Sequence, residues 1–431
     1  MQQKIDMNNS LITTEPKKKE NRIAEFGILF VFLLALLEPI QNIKREAFLP
    51  FAPEALTVTL LGIAFMLLLS SRINIKLFKK NHFIALNAFN ILILLSSLYS
   101  IYPLLTASRS LQFLIVSNCL YLMLVHVKDL EKTFHSVALI TIAFTFLASV
   151  YGSLIYIFGS FYSSDGIWIT GITFLGMEFK QLMYGQRISS FTGNPNSLGI
   201  LLMLSILICF YFIKQKKSFW LFILIIIFFY TLLLTGSRAS MVGMIAGGAL
   251  FIDHSYLERG IGRAALRVVI VGTIILIGIY LMLSPETIKY LFSLMGRESN
   301  TLSGREIAWS ALLEQIKETP YFGIGYRIST EAVLEGKLEI DVSNSHNLYL
   351  SILSEVGVLG FLLFAYIYIL PVISRNSAVS NSFKAISISI LFSLLTNHFF
   401  EDIFSPLGYF FIWIYFVLFI TIQNNEKENS I

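Results

Sequence analysis

The chain contains 431 residues, of which 55% are apolar and only 14% are charged. Soluble domains typically carry about 25% charged residues, so the composition excludes an ordinary soluble protein and predicts an all-α fold, a polytopic bundle of membrane helices. The net charge of +5 follows from loop residues and does not indicate a nucleic-acid partner. The two cysteines, Cys119 and Cys209, lie in apolar runs and do not imply a disulfide.

Apolar runs divide the chain into spans, loops and tails. A membrane span needs about 20 mainly apolar residues. The resulting parts are a basic tail at 1–23 without a cleavage site, spans one to nine within 24–283, a long loop at 284–346, spans ten to twelve within 347–422, and a short tail at 423–431. The twelve predicted spans are 24–42, 52–70, 82–102, 107–126, 136–159, 197–213, 218–235, 239–253, 265–283, 347–370, 384–400 and 405–422.

The distribution of lysine and arginine predicts how these spans are oriented. Both residue types concentrate in cytoplasmic loops, and most of the 32 in this chain fall on the same side as the N-terminal tail. We therefore expect a multi-pass protein of the cytoplasmic (inner) membrane with both termini in the cytoplasm. Two substantial segments, about 160–196 and 284–346, are then exposed at the outer face.

Several arginines in distinctive settings fall on that outer face. A single interfacial arginine is usually an anchor whose charge reaches the lipid headgroups. The anchor interpretation does not suit Arg238, in "TGSRAS", because a tight glycine-containing turn holds its charge beside the bundle. The others are Arg187 before span six, Arg305 in "SGREIAW", Arg327 in "FGIGYR" and Arg109 near the outer end of span four.

The long outer loop contains a helix signal. Ser303 and Glu306 match the S-x-x-E capping box that opens a helix, and the alternation of apolar and charged residues over 304–318 predicts an amphipathic helix ended by Pro320. Arg305 lies in its first turn, where free backbone N–H groups and the positive end of the dipole favour an anion. A basic side chain there is locally unfavourable, and an anionic ligand would explain it.

His346 lies where the long loop enters span ten, in "SNSHNLYLSILSEVG". A lone histidine at a helix end is usually structural, but its polar neighbours, Asn347 among them, and the arginines on the same face favour a functional role. Glu355 is not predicted to assist it, because nine residues along a straight helix place the two half a turn out of phase. Glu401, in "NHFFED", either lines the same cavity or simply ends a helix.

Taken in order, these motifs resemble the O-antigen ligase and O-antigen polymerase superfamily. The resemblance covers about residues 185–365 and is carried by an outer arginine with "NPN" (Asn194 and Asn196), then "GSRAS", "GREIAW", "PYFGIGY" and "SHNLYLSILSEVGVLG". Members are polytopic inner-membrane glycosyltransferases that take a glycan from undecaprenyl diphosphate at the outer face. Ligases pass it to a lipid A-core sugar, and polymerases pass it to another lipid-linked repeat unit.

The resemblance implies roles for individual residues. Arg187, Arg238 and Arg305 correspond to the family's arginines near the lipid diphosphate, and His346 corresponds to its loop histidine, regarded as the base. Arg327 and the 397–402 cluster have no secure counterpart. The length of the outer loop does not by itself separate ligases from polymerases.

The chemistry of such a transfer suits these residues. A diphosphate leaving group gathers negative charge as the glycosidic bond breaks, and arginines stabilise it by bidentate contacts. The acceptor hydroxyl needs a base that titrates near neutral pH, which histidine provides. No metal-ligand spacing such as H-x-x-x-H or C-x-x-C occurs. The sequence therefore predicts a metal-independent, inverting transfer without a cofactor.

A non-enzymatic role is the alternative. A flippase for lipid-linked glycans, or another transporter, would also need many spans, but transporters typically show related halves and charges at the membrane midplane. The sequence has no evident internal repeat, and its charges cluster at one face, so an enzyme is favoured. The partners implied are a lipid-linked glycan, an acceptor glycan, the membrane, and a chain-length regulator or a flippase.

Overall fold

A computed structural model gives the architecture of the chain. The residues it describes are 24–36, 81–127, 129–164, 167–174, 177–184, 187–216, 218–256, 305–328, 346–373, 380–401 and 410–422. The predicted spans at 52–70 and 265–283, Ser303 of the predicted capping box, and both predicted tails lie outside the described residues.

The described part of the chain is mainly helical. Its α-helices are α1 Ala24–Leu36, α2 Asn81–Leu95, α3 Pro103–Val125, α4 Leu130–Phe158, α5 Pro195–Lys216, α6 Phe219–Thr235, α7 Arg238–Tyr256, α8 Arg305–Glu318, α9 Leu348–Ile373, α10 Asn381–His398 and α11 Phe410–Ile422. Ten of the twelve predicted spans coincide with these helices, and α8 is the predicted loop helix. Five helices in the described residues are long and apolar enough to cross a membrane. The helical membrane protein is therefore confirmed, while the count of twelve spans stays a prediction.

The helix ends follow local capping rules. Proline occupies the first position of α3, where its missing N–H costs no hydrogen bond. The Asp129 side chain accepts a bond from the backbone N–H of Lys132 and so caps α4, as expected of an N-cap aspartate. Gly236 ends α6 in the left-handed conformation, with φ +57°, which glycine adopts without a steric penalty.

A four-stranded antiparallel sheet follows α4, and the all-α prediction did not include it. The strands pair in chain order. Their bounds are β1 Ser160–Ser164, β2 Ile167–Phe174, β3 Met177–Tyr184 and β4 Arg187–Ile188. "IWITGITF" is rich in the β-branched and aromatic residues that favour strands, but each run is too short to stand out beside the membrane spans. The sheet packs on α4, where Gln181 Nε2 donates to the carbonyl of Gly152 at 2.9 Å.

Small residues bring α7 and α10 into close contact. A Cβ placed on Gly247 would lie 2.7 Å from the carbonyl oxygen of Ser389, and one on Gly243 would lie 2.9 Å from that of Ser393. Glycines four residues apart let helix backbones approach closely in a membrane. This close approach holds the start of α7 against the end of α10, where Asn397 Nδ2 donates to Ser240 Oγ at 3.2 Å.

Helix α9 is broken at Gly357, whose φ is +68°, although the sequence predicted one straight span. The break leaves backbone carbonyls without partners inside the helix, and the 319–328 loop satisfies them. Ile324 N–H donates to Ser354 O at 3.0 Å and Gly325 N–H donates to Glu355 O at 2.9 Å. Buried backbone groups in a membrane need such partners, so the loop and α9 form one unit.

Candidate functional site

Arg187, in β4, connects the sheet to the helix bundle. Its Nε donates to the carbonyl oxygen of Thr235 at 2.7 Å, and its Nη2 donates to Asn196 Oδ1 at 2.5 Å. Thr235 is the last residue of α6 and Asn196 lies in the first turn of α5. The guanidinium therefore joins three elements at the point where two helices meet the sheet.

The hydrogen bonds continue from Asn196 to the predicted base. Asn196 Nδ2 donates to Glu401 Oε1 at 2.7 Å, and Glu401 Oε2 lies 3.2 Å from His346 Nδ1. The Glu401 side chain is 8% exposed and that of His346 is 30% exposed. An arginine, an amide, a carboxylate and an imidazole from four separate parts of the chain thus form one continuous chain, which we call the arginine–histidine relay.

The contact with Glu401 determines which ring nitrogen of His346 is basic. A carboxylate accepts a proton donor, so Nδ1 carries the hydrogen and Nε2 holds the lone pair of the neutral ring. The carboxylate also stabilises the imidazolium that forms when Nε2 takes up a proton, as the aspartate of a catalytic triad does. His346 can therefore act as a general base whose orientation is fixed by Glu401.

Two asparagines of the predicted site position their neighbours. Asn347 Oδ1 accepts the backbone N–H of Leu350 at 3.1 Å and caps α9, which keeps His346 just outside the helix with a φ of +47°. Asn194 Oδ1 accepts the backbone N–H of Asn196 at 2.8 Å at the start of α5. Both asparagines thus order the backbone next to relay residues.

Arg238 is the first residue of α7 and follows the Gly236 turn. The Arg187 side chain packs over that turn, since a Cβ on Gly236 would lie 3.4 Å from Arg187 Cγ and Nε. The Arg187 side chain therefore lies beside the turn that precedes Arg238, whose own side chain is half-buried. Arg305 opens α8, and its side chain lies outside what the structure describes.

A second polar group forms around Arg327. The Arg109 guanidinium donates to the Arg327 carbonyl, and the Arg327 N–H donates to Glu355 Oε2 at 2.8 Å. Glu355 therefore anchors the 319–328 loop. Arg327 adopts a φ of +59°, and its side chain lines a narrow pocket with Ser351 and Glu355.

The His398 ring, three residues before Glu401, is fully buried, and its Nε2 lies 2.7 Å from the Tyr368 hydroxyl. Sequence reasoning left the partners of Glu401 open. It did not join Glu401 to either Asn196 or His346. The only sequence signal for Glu401 was its position four residues after Asn397. The contact between Glu401 and Asn196 joins residues 205 positions apart, and no local pattern in the sequence indicates it.

Taken together, the described residues define a helical membrane protein whose arginine, histidine and carboxylate side chains gather where several helices begin or end. In this part of the chain, no three His, Cys, Asp or Glu side chains come together as a metal would require.

Residues 221–365 match the family model for O-antigen ligase. The match runs from α6 into α9 and includes Arg238, Arg327 and His346, whereas Arg187 and Glu401 lie outside it. This match confirms the resemblance of that part of the chain to the O-antigen ligase and polymerase superfamily. No curated protein matches the chain at a significant level. The family indicates a membrane enzyme that acts on glycans, with lipid-linked glycan and acceptor substrates.

Proposed function

We propose that this protein transfers a glycan from undecaprenyl diphosphate to an acceptor sugar at the outer face of the cytoplasmic membrane, as a surface polysaccharide polymerase or an O-antigen ligase. The reaction is metal-independent and inverts the anomeric carbon. His346 is the base, and Arg187, Arg238 and Arg305 bind the lipid diphosphate. Glu401 and Asn196 hold the base and the arginine in place.

The arginine–histidine relay is the observation that carries this proposal. A transfer from a diphosphate needs a cation at the leaving group and a base at the nucleophile, held at a fixed separation. Arg187 and His346 are joined through two intervening side chains by contacts of 2.5, 2.7 and 3.2 Å. A guanidinium has five N–H groups, so the same side chain can hold the Gly236 turn and bind a phosphate oxygen.

The bonds that form and break follow from this arrangement. The acceptor hydroxyl gives its proton to His346 Nε2 as its oxygen attacks the anomeric carbon. The bond from that carbon to the diphosphate oxygen breaks, and its electron pair stays on undecaprenyl diphosphate. The arginines stabilise that growing negative charge, and Glu401 stabilises the imidazolium. A single displacement on the face opposite the leaving group inverts the carbon.

Purified protein in detergent tests the proposal against the flippase alternative. The donor is the undecaprenyl-diphosphate-linked repeat unit from the source cells. The acceptors are the oligosaccharide released from that repeat unit by mild acid and, separately, a lipid A-core oligosaccharide. An enzyme releases undecaprenyl diphosphate in the presence of an acceptor, whereas a flippase has no membrane to act across. No release with either acceptor, together with glycan movement across intact vesicles, would contradict the enzyme.

The predicted orientation has a separate test. Single cysteines at Lys216 and Glu335, in a background without Cys119 and Cys209, are expected to react with a membrane-impermeant thiol reagent from opposite sides. In intact cells only the cysteine at position 335 should be labelled, because the second outer segment is predicted to contain it. Labelling of both positions would contradict the predicted sidedness.

A further inference from the structure

A second row of polar contacts starts from the arginine–histidine relay and returns to it. It begins at Thr235, whose carbonyl oxygen accepts Arg187 Nε and whose hydroxyl oxygen accepts the Ser237 backbone N–H at 3.2 Å. Ser237 Oγ donates to Ser240 Oγ at 3.0 Å, and Asn397 Nδ2 donates to the same Ser240 oxygen at 3.2 Å. We call Thr235, Ser237, Ser240 and Asn397 the serine–asparagine connection.

The serine–asparagine connection meets the relay again at Glu401. The Glu401 backbone N–H donates to the Asn397 carbonyl oxygen at 3.0 Å, and the Glu401 carboxylate accepts Asn196 in the relay. Relay and connection therefore share a closed ring of seven residues, which runs from Arg187 through Asn196 to Glu401 and returns through Asn397. Because the ring is closed, the positions of its members depend on one another.

The ring includes the first turn of α7. Ser237 and Ser240 flank Arg238 in the chain, and Arg238 is the first residue of α7. Gly199 of α5 packs against this turn, since a Cβ there would lie 2.7 Å from Ser237 Oγ and 2.8 Å from Ser240 Oγ. Within the ring, the bond from Asn397 is the contact that joins α7 to α10, so it connects the turn that carries Arg238 to the end of α10.

Packing alone does not account for an asparagine at position 397. Its side chain is fully buried, and among the described residues its Oδ1 has no hydrogen-bond partner. An unsatisfied buried acceptor is unfavourable, and an apolar side chain of similar shape would fill the same space without that cost. The bond to Ser240 is the described contact of this side chain that an apolar residue could not make.

We propose that Asn397 is a positioning residue for the transfer. Through Ser240 it holds the first turn of α7, and with it Arg238, at a fixed distance from the end of α10. That end leads into Glu401, which orients His346. The inference rests on the proposed function, in which the arginine binds the leaving diphosphate and the histidine takes the proton of the acceptor.

The position of these groups affects the rate more than it affects binding. The arginine and the base must act in the same transition state, so a change in their separation weakens interactions that are made only there. Each substrate can still bind to its own side chains when the separation changes. A loss of positioning should therefore lower kcat and leave the Michaelis constants nearly unchanged.

Asn397→Leu tests this expectation, because it keeps the branched shape of the side chain and removes its hydrogen bonds. We expect kcat in the detergent assay to fall roughly 10- to 100-fold, since small misplacements of reacting groups have effects of this size. The KM for the lipid-linked donor and the KM for the acceptor oligosaccharide should each stay within about threefold. The thermal midpoint should fall little, because leucine fills the space of the amide.

Ser240→Ala removes the same contact from the side of α7. It should lower kcat on a similar scale, again with little change in either KM. Because both substitutions remove one contact, the double variant Asn397→Leu with Ser240→Ala should lose little more activity than the weaker of the two single variants. This second variant also keeps the test open if leucine at position 397 prevents folding.

Ser393→Ala is the matched control. Ser393 lies one helical turn before Asn397 on α10, is equally buried and faces α7 at the same interface. Its hydroxyl, however, donates within α10, to the Ser389 carbonyl at 2.9 Å. This variant should leave kcat and both KM values within about twofold of the wild type.

Hydrogen exchange measures the connection between the helix ends without any substrate. The Met241 backbone N–H donates to the Ser237 carbonyl in α7, and the Glu401 N–H donates to the Asn397 carbonyl at the end of α10. In Asn397→Leu we expect both N–H groups to exchange about fivefold faster, the scale of one lost hydrogen bond. Ser393→Ala should change neither rate.

Several results would overturn the positioning role. They are an unchanged kcat in both contact variants, an equal fall in kcat in Ser393→Ala, a rise in either KM without a fall in kcat, or losses that multiply in the double variant. If the wild type transfers glycan to neither oligosaccharide, the proposed function fails, and hydrogen exchange then decides the connection. Unchanged exchange at either N–H group in Asn397→Leu contradicts it.

Discussion

The two ends of the helix bundle contain similar polar residues in different arrangements. At one end, which we call the arginine end, the relay joins Arg187 to His346 through Asn196 and Glu401. The other end, which we call the lysine end, is where α5 finishes with Lys214 and Lys216 in its last turn. Each end has a glutamate close to a histidine, so composition alone does not separate a site from a structural cluster.

The lysine end places its polar residues within and between helices. The Tyr211 hydroxyl meets His135 Nε2 at 2.7 Å and donates to Glu131 Oε1 at 3.3 Å, and Ser380 Oγ donates to the same carboxylate oxygen at 2.7 Å. These bonds tie α4, α5 and the start of α10 together. A tyrosine lies between the glutamate and the histidine, and the contacts of these side chains hold the three helices together.

The arginine end draws its polar residues from the segments between helices. His346 precedes α9, Glu401 follows α10, and Arg187 lies in a two-residue strand. Connecting segments on a rigid scaffold are where binding and catalytic residues concentrate. The two ends therefore differ in one respect. At the arginine end a glutamate contacts a histidine directly, next to an arginine and outside regular helix, whereas at the lysine end a tyrosine lies between the glutamate and the histidine.

The largest expected effect separates the two histidines. We expect His346→Ala to lower transfer by roughly 10²- to 10⁴-fold, the usual scale for a general base, and His135→Ala to change it by less than about threefold. The measurement is the initial rate of undecaprenyl diphosphate release by purified protein, with the amount of folded protein checked by size-exclusion chromatography. A His346 variant as active as the wild type would remove this residue from the mechanism.

The arginines provide the next effect. Arg187→Lys keeps the charge but loses the planar fork that contacts Thr235 and Asn196 together, so we expect a loss of about 10- to 100-fold, on the scale of one charge-assisted hydrogen bond. Arg238→Lys should also be damaging, because lysine lacks the planar fork that binds a diphosphate by paired hydrogen bonds. Because both would act on one diphosphate, the double variant should lose less than the product of the two single losses. Strictly multiplicative losses would place the two arginines on different groups.

Much of this fold could be predicted from the sequence because its signals are local. Runs of apolar residues marked ten helices that the structure contains, and the apolar–polar alternation marked α8. The sheet was missed because its strands are short and were judged only as possible spans. The break in α9 was missed because a single glycine in an apolar run is compatible with a straight helix, and only the docked 319–328 loop explains its conformation.

The candidate site was predicted in its residue types but not in its connections. Arg187, Arg238 and His346 stand in motifs, so the sequence could identify them. The contacts of Glu401 with Asn196 and His346 depend on how α5, α9 and α10 pack, and no spacing in the sequence encodes that packing. The bond from the Arg327 backbone N–H to Glu355 depends in turn on the break in α9.

A matched pair of glutamates tests whether the direct contact matters. Glu401→Gln removes the charge that stabilises the imidazolium and keeps the size of the side chain, so we expect transfer to fall about 10- to 100-fold, the scale of a charge-assisted hydrogen bond. Glu131→Gln is the control at the lysine end and should stay within about twofold. The pH–rate profile should change for Glu401→Gln alone, because only that variant alters the surroundings of the base. Equal losses in the two variants would mean that both glutamates are structural.

The smallest expected effect concerns stability at the lysine end. Tyr211→Phe removes the hydroxyl shared by His135 and Glu131 but keeps the ring that packs edge-on against Phe134, with centroids 5.5 Å apart. Each hydrogen bond of this kind contributes about 0.5–1.5 kcal/mol to the free energy of unfolding. The thermal midpoint in detergent should therefore fall, while the transfer rate should stay within about twofold. Asn196→Ala is the converse variant at the arginine end, because it removes the amide that joins Arg187 to Glu401. Its main effect should be a lower transfer rate, with only a small change in the thermal midpoint. If Tyr211→Phe lowered transfer as much as Glu401→Gln, the lysine end would share in catalysis, and the distinction between the two ends would fail.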